Sequence, residues 1–487
     1  MAAFANAPGE ITGAGLPDFT VNRSNHLAPK VEQDRAPQLW PVALFLAALF
    51  WLITTTGGRH VFVQDMLGEA YDSHAEHLLH GDPGVSGDAI RHEVMIVNGK
   101  SRMYFGPFPA LLRIPLNFVY PQGRGHWSRI SGFCAGIVAL ASFTALLKRG
   151  LRLSKLSPRW RNWLGNICLV GFALGSPLFL LLADVSIYHE AIIWGLAWSL
   201  AALYFAGRCR RREGASLTLS LFAFAFCAGA AVLSRVTFGL PLVLIAPLLA
   251  LGLLRQPHQG RNLTALFLPL GAAVLFHLAL NYAKFGDLVG AGIRYHINPV
   301  QREFAQKHGL FRLKRVPYSL ADYFILRRPI PQPRAPFLKT SQQSYNYPKL
   351  YVMPFSETYS SLIWCSSWIV LGALVGIRFL FKPTCSDGLD RIIALLLFAE
   401  IIIVSSFMGL AQRYLAEFFP FLVFCFVIFL RCGSAVFRVR YLVIALVAAS
   451  VTINSLSTVS WLVDVDANTP AAVRASWKAL LQRTWNS

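Results

Sequence analysis

The sequence predicts an all-α, polytopic membrane protein with about eleven transmembrane helices and short helices in its outer-face loops. Three observations predict it. Of 487 residues, 55% are hydrophobic and only 14% charged, with a mean hydropathy of +0.49, well outside the range of soluble domains. The apolar runs are close to 20 residues long and lack strand alternation, which is the length and pattern of a helix crossing a bilayer. Lys and Arg concentrate in every second short connection, as they do on the cytoplasmic side of multi-span proteins.

Taken in order, residues 1–38 are rich in Pro, Ala, Asn and Gly and lack the basic start and apolar core of a signal peptide; a disordered cytoplasmic tail is expected. A transmembrane domain is expected over 39–462, its first span at 39–56. The first outer loop, 57–126, holds an acidic helix and the stretch Phe105 to Leu116, apolar but too short and Pro-rich to span, hence re-entrant or interfacial. Spans follow at 127–147, 163–182, 187–206, 215–233, 237–254 and 263–282. A long outer loop, 283–360, carries twelve Lys or Arg against four acids, a balance that suits an anionic partner such as a phosphate or a lipid headgroup. The last spans fall at 361–380, 392–410, 414–430 and 441–462. In 463–487, Val473, Trp477, Leu480, Leu481 and Trp485 share one helical face, the pattern of an amphipathic helix lying on the outer leaflet.

Orientation follows from the short loops. One set holds Lys148, Arg149, Arg152, Lys155, Arg159 and Arg161, then Arg208, Arg210, Arg211 and Arg212, then Arg255 and Arg261, then Arg378, Lys382 and Arg391, then Arg431, Arg438 and Arg440; the opposite set holds only Arg235 and Arg413. This puts the N-terminus in the cytoplasm. The +21 net charge mostly reflects that topology, so no nucleic-acid partner is inferred. The eight cysteines have no paired spacing and read as small hydrophobes.

The most informative segment runs from Gln64 to Asp82. As a continuous helix it sets Asp65, Glu69, Asp72 and Glu76 on one face, at i, i+4, i+7 and i+11, and Tyr71 on another. Like charges at that spacing repel, and a chain with 24 acids against 45 bases has collected them where they cost stability. The bland reading is that these are solvated loop acids, more so for Glu69 and Glu76. His74, His77 and His80 lie among them, but their spacing matches no metal signature; no metal or other cofactor is expected, a divalent cation being the alternative.

Other polar groups collect at the same ends of the spans: Asp184 with Tyr188, His189 and Glu190; Ser234 and Arg235; Lys284 after Asn281; Gln412, Arg413 and Glu417; and Arg129 opening the second span. His189 and Glu190 also suit a helix start, Arg235 can snorkel, and Arg413 stands four residues from Glu417. A carboxylate that takes a hydroxyl proton, with cations that hold a phosphate leaving group, is the minimum kit for glycosyl transfer from a phospholipid-linked sugar.

Asp65, Tyr71, Ala75, Leu78, Leu79 and Gly81-Asp82, then Phe105-Gly106-Pro107-Phe108-Pro109, Trp127-Ser128-Arg129, Tyr188-His189-Glu190-Ala191 and Ser234-Arg235-Val236-Thr237 together resemble the membrane-embedded GT-C glycosyltransferases, specifically the protein O-mannosyltransferase and aminoarabinose-transferase-like group. The resemblance covers roughly 39–430. It implies a GT-C-like fold in the bacterial inner membrane, a periplasmic active site, a polyprenyl-phosphate-linked sugar donor, an envelope glycan, lipid or protein acceptor, and a first-loop Asp as general base. That group often has Asp followed by Glu, whereas Met66 follows Asp65 here; the base is therefore Asp65 or Asp72, with Asp65 favoured by its distance from Gly81. Arg235, Arg129, Lys284 and Arg413 then become the expected phosphate ligands, and Tyr71, Tyr188, His189 and Glu190 the expected substrate contacts. The alternative class is a lipid-linked saccharide flippase or other transporter working through Glu400, the one acid deep in an expected span.

Overall fold

A computed structural model describes residues 37–154, 156–210, 214–254, 258–289, 292–340, 357–431 and 433–486. The tail expected over 1–38 lies outside these except for its last two residues, as do Lys155, Arg211, Arg212, Arg255, Lys349 and Cys432.

The described chain is a helical bundle with two small hairpins, Met95–Val97 with Lys100–Arg102 and Ile330–Pro331 with Leu338–Lys339. In chain order the helices used below are α1 (Trp40–Thr54), α2 (Glu69–Leu79), α3 (Phe108–Val119), α4 (Ser128–Arg152), α5 (Pro158–Leu174), α6 (Pro177–Ala183), α7 (Ile187–Cys209), α8 (Gly214–Ser234), α9 (Val236–Leu251), α10 (Gln259–Phe285), α11 (Pro299–His308), α12 (Ser367–Leu380), α13 (Gly388–Ser406), α14 (Phe419–Arg431), α15 (Gly433–Ser460) and α16 (Ala471–Asn486).

Each expected span has a helical counterpart, but the count of eleven is not established. Among the described residues, six helices are long and apolar enough to cross a membrane, seven if α5 and α6, bent by 48° at their break, are one span. α1, α9 and α12 are shorter apolar helices, and at 15 residues α1 is about 22 Å long against a core of about 30 Å. α13 carries Asp390, Arg391 and Glu400. Burial separates centre from rim: the span Gln412–Arg431 is 89% buried, whereas Gln259–Phe285 is 17% buried and presents its apolar surface outward.

The core is aromatic. Phe143 of α4 stacks on Phe172 of α5 at 4.2 Å, and Trp368 of α12 meets Phe426 of α14 at 5.2 Å. Offset and edge contacts of this kind add to the packing on which helix association in lipid depends.

Three expectations are corrected. The acidic segment is not one helix: Leu67 takes a left-handed φ of 56° and α2 starts only at Glu69, so Asp65 sits in the preceding turn. Of the four acids, Asp65 and Asp72 are buried and Glu69 and Glu76 exposed, which separates the two candidate bases from the solvated pair. The basic long loop is not a free cationic surface, since Arg315 is fully buried and donates to the carbonyls of His308, Gly309, Leu310 and Ser406. Cys385 is disulfide-bonded, a tertiary pairing that sequence spacing does not reveal.

Candidate functional site

The turn before α2 nests against the start of α4. A Cβ on Gly68 would come within 2.7 Å of the Ser128 hydroxyl, so the chain passes here as closely as glycine permits. Arg129, the second residue of α4, is fully buried and donates to Asp65 Oδ1 at 2.7 Å and to the Thr54 carbonyl at 2.5 Å. Asp65 Oδ2 is buried and has no protein partner. Burial pushes the Asp65 carboxyl up to about 6, with the Arg129 guanidinium opposing it. At neutral pH such a group is ionised yet willing to take a proton.

Asp72, one turn into α2, belongs to a second cluster. Arg113 of α3, wholly buried, grips Glu190 through Nη2 at 2.7 and 2.9 Å and lies 3.6 Å from Asp72 through Nε. Asp72 also accepts from the Gly125 N–H at 3.2 Å, where Gly125 has a φ of 79° that favours glycine. Burial raises the Asp72 carboxyl and Arg113 opposes the rise. Glu190 stands in the first turn of α7, whose N-cap Ser186 accepts from the His189 N–H. His189 donates through Nδ1 to the Asp184 carbonyl.

A third cluster joins the first loop to the long loop. Glu93 accepts from Tyr188 at 2.6 Å, Tyr104 at 3.0 Å and His296 Nε2 at 3.3 Å. Since the Asn298 N–H donates to His296 Nδ1, Nε2 carries the proton toward Glu93. Burial alone would raise the Glu93 carboxyl, but the bonds from His296, Tyr188 and Tyr104 outweigh it and hold it below its ordinary value. Arg413 lies 4.4 Å over the Tyr188 ring and pairs with Glu357.

Arg235 pairs with Glu417 at 2.6 Å, and Glu417 also accepts from Thr237 at 2.5 Å. The i+4 pairing of Arg413 with Glu417 does not occur. Gln412–Phe418 is a 3-10 helix, in which residues four apart are rotated by about 120° rather than stacked. Gly106 packs so closely that a Cβ would lie 2.2 Å from the Leu233 carbonyl oxygen and 2.4 Å from that of Ser234, which ties the Phe105-Gly106-Pro107 corner to the end of α8 beside Arg235.

Lys284, in the last turn of α10, is 3% exposed, and among the described residues it makes no hydrogen bond or ion pair. Its charge acts on His74, whose Nδ1 donates to the Gly84 carbonyl at 2.7 Å and whose Nε2 is buried without a partner. Burial, then Lys284, hold His74 well below its ordinary value, so it is neutral with a free Nε2 lone pair.

Of the expected residues, Asp65 and Arg129 meet directly, Asp72 and Glu190 meet through Arg113, and Tyr188 meets Arg413. Tyr71 lies beneath the site, fully buried with its hydroxyl 3.4 Å from the Ile187 carbonyl. No sequence pattern marks Glu93, His296 or Glu357 as site residues; for Arg113 the signal is an arginine inside an otherwise apolar, Pro-bearing helix. Among the described residues no group of three His, Cys, Asp or Glu side chains is arranged to hold a metal ion. His77 and His80 each bond a backbone carbonyl of their own helix.

No family model and no curated protein matches the chain. Among solved structures, it is similar to the Archaeoglobus fulgidus oligosaccharyltransferase in its apo form, at 12% identity and a TM-score of 0.46, over 89% of this chain and 59% of that one. It is similar also to ArnT from Cupriavidus metallidurans bound to undecaprenyl phosphate, at 14% and 0.43, over 91% and 72%. A third is the archaeal oligosaccharyltransferase AglB from Archaeoglobus fulgidus in complex with an inhibitory peptide and a dolichol-phosphate, at 13% and 0.44, over 90% and 56%. The chain therefore spans less than two thirds of the oligosaccharyltransferases it resembles.

Proposed function

We propose that this chain is an integral membrane glycosyltransferase that moves a sugar from a polyprenyl-phosphate carrier to an envelope glycan, lipid or protein acceptor at the periplasmic face of a bacterial inner membrane. The observation that carries this reading is Asp65: a buried carboxylate with one oxygen fixed by Arg129, the other without a protein partner, and a proton affinity raised to about 6. In a single displacement with inversion, the acceptor hydroxyl gives its proton to Asp65 Oδ2 while its oxygen bonds to the sugar's anomeric carbon. The bond from that carbon to the phosphate oxygen breaks, and the electron pair leaves on the lipid phosphate.

Lys284 and Arg235 receive the departing phosphate, with Arg413 behind Tyr188 completing the cationic side. Arg129, wholly buried, serves as the group that aims Asp65. Tyr188 and His189 line the approach of the sugar or acceptor, and Glu190 acts through Arg113.

The test is transfer of a radiolabelled sugar from a polyprenyl-phosphate donor to envelope acceptors in proteoliposomes. Loss of transfer in Asp65→Asn with retained fold supports the reading; full activity in both Asp65→Asn and Asp72→Asn overturns it. The transporter alternative has one observation in its favour, that both Glu400 carboxyl oxygens are buried without a partner. Glu400→Gln separates the two readings: a transporter coupled through Glu400 fails, whereas a surface-acting transferase mostly survives.

A further inference from the structure

Glu93 is 6% exposed and, among the described residues, pairs with no arginine. It closes a single 3-10 turn, Arg91–Glu93, just ahead of the Met95–Val97 strand. Its carboxylate takes hydrogen bonds from three elements: Tyr188 in the first turn of α7, Tyr104 after the hairpin, and His296 of the long loop. The long loop also docks here through its backbone, for the Ile297 N–H donates to the Val94 carbonyl at 3.0 Å and His296 bridges to Met95. A carboxylate anchored from so many sides is not free to rotate. Nor is it suited to act as a base, since against the effect of burial the three donors keep its proton affinity low.

What Glu93 holds is a ring. The Tyr188 hydroxyl donates at 2.6 Å, the short bond expected to a charged acceptor, and Phe105 meets the same ring edge-on at 5.4 Å. Arg413 lies 4.4 Å over Tyr188 and 5.2 Å from Tyr414, and Arg235 lies 5.2 Å from Tyr414 as well. Both arginines of the proposed phosphate side thus rest on tyrosine rings, and cation–π attraction acts only while ring and guanidinium stay within about 6 Å. Glu357 holds Arg413 by its charge; Tyr188 supplies the surface against which the guanidinium lies.

We infer that Glu93 is a positioning residue: braced by His296 of the long loop, it fixes Tyr188 and, through that ring, sets where Arg413 stands on the phosphate side of the site. It acts through its neighbours and touches neither sugar nor phosphate. The consequence for donor binding rests on the proposed transfer function; the linkage from Glu93 to Arg413 does not.

The experiment uses the full chain and two readouts: hydrogen exchange over Gln412–Phe418 in detergent, and donor KM and kcat for transfer of a radiolabelled sugar from a polyprenyl-phosphate donor in proteoliposomes. Glu93→Ala speeds exchange over that segment and raises donor KM about five-fold, with kcat within about two-fold of the parent protein. Glu69→Gln, which alters a solvated acid of the same loop, moves neither. Should Glu93→Ala melt early, Tyr188→Phe severs the same link by one oxygen and keeps the ring, with the same two effects. In the double variant donor KM is no higher than in the larger of the single ones, because both act through one contact. Unchanged exchange in both single variants, KM effects that multiply in the double variant, or an equal rise in Glu69→Gln overturns the proposal. Faster exchange in the variants of a protein whose parent form transfers no sugar supports the linkage and overturns the proposed function instead.

Discussion

Replacing Asp65 by Asn separates catalysis from stability in a way the geometry makes quantitative. Burial raises this carboxyl from 3.8 to about 6, which makes its ionisation in the folded protein costlier than in water by about 3 kcal/mol. The sign follows from proton binding: between those two values the native state holds a proton that the unfolded chain has lost. Stability therefore falls as pH rises through this window and stays lower by that amount above it. Asn removes the cost but leaves Arg129 facing a neutral amide, and an uncompensated buried guanidinium costs about 3–5 kcal/mol, part of which the amide carbonyl recovers. The two changes oppose each other, so the melting temperature in detergent stays near that of the parent protein. Turnover falls about 10²- to 10⁴-fold, the range for losing a general base. In the parent protein, kcat/KM rises about ten-fold from pH 5 to pH 7, following the ionised fraction of a group near 6. Asp72→Asn, whose acid is held by Arg113 and Gly125, costs far less. A folded Asp65→Asn protein that keeps more than a tenth of its turnover, or a flat profile between pH 5 and 7, refutes the assignment.

Arg113→Met leaves Glu190 buried without its bidentate partner and destabilises the protein by about 3–5 kcal/mol, measured as a shift in the detergent melting curve; an unchanged curve contradicts the burial of that pair. Lys284→Gln raises the donor KM more than about ten-fold without lowering the melting temperature, because a buried cation lacking a partner costs stability in the resting protein rather than supplying it; an unchanged KM removes Lys284 from the phosphate site. Glu400→Gln is close to isosteric at a carboxyl whose oxygens have no partner, so sugar transfer stays within about three-fold of the parent protein, and a collapse of transfer implicates this group directly.

The helices were legible because lipid imposes a single solution on an apolar run of about 20 residues, and each expected span is helical. Their roles were less so, since α1, α9 and α12 are short for a bilayer and α13 carries Asp390, Arg391 and Glu400. Asp65 and Arg129 could each be picked out, but not their contact, which joins residues 64 apart through a left-handed Leu67 that no local pattern announces. Arg413 pairs with Glu357 and not with its i+4 neighbour Glu417 because the stretch between them winds as a 3-10 helix, a local geometry that residue spacing does not reveal. Arg113 is illegible in sequence because the apolar helix around it masks the charge that organises Asp72 and Glu190.

The charges at this end of the bundle are less cationic than the sequence suggests. Arg129 is matched by Asp65, Arg113 by Glu190 and Asp72, Arg235 by Glu417, and Arg413 by Glu357. A buried pair of this kind roughly breaks even in stability, and what it contributes is fixed geometry. A phosphate arriving beside any of these arginines also meets the carboxylate attached to it, which offsets much of the attraction. Lys284 has no such counter-ion among the described residues and faces a neutral His74. Under the proposed function, the arginine pairs set the shape of the site and the aim of Asp65, while discrimination for a lipid phosphate falls on Lys284. This is why its substitution affects donor affinity before it affects the fold.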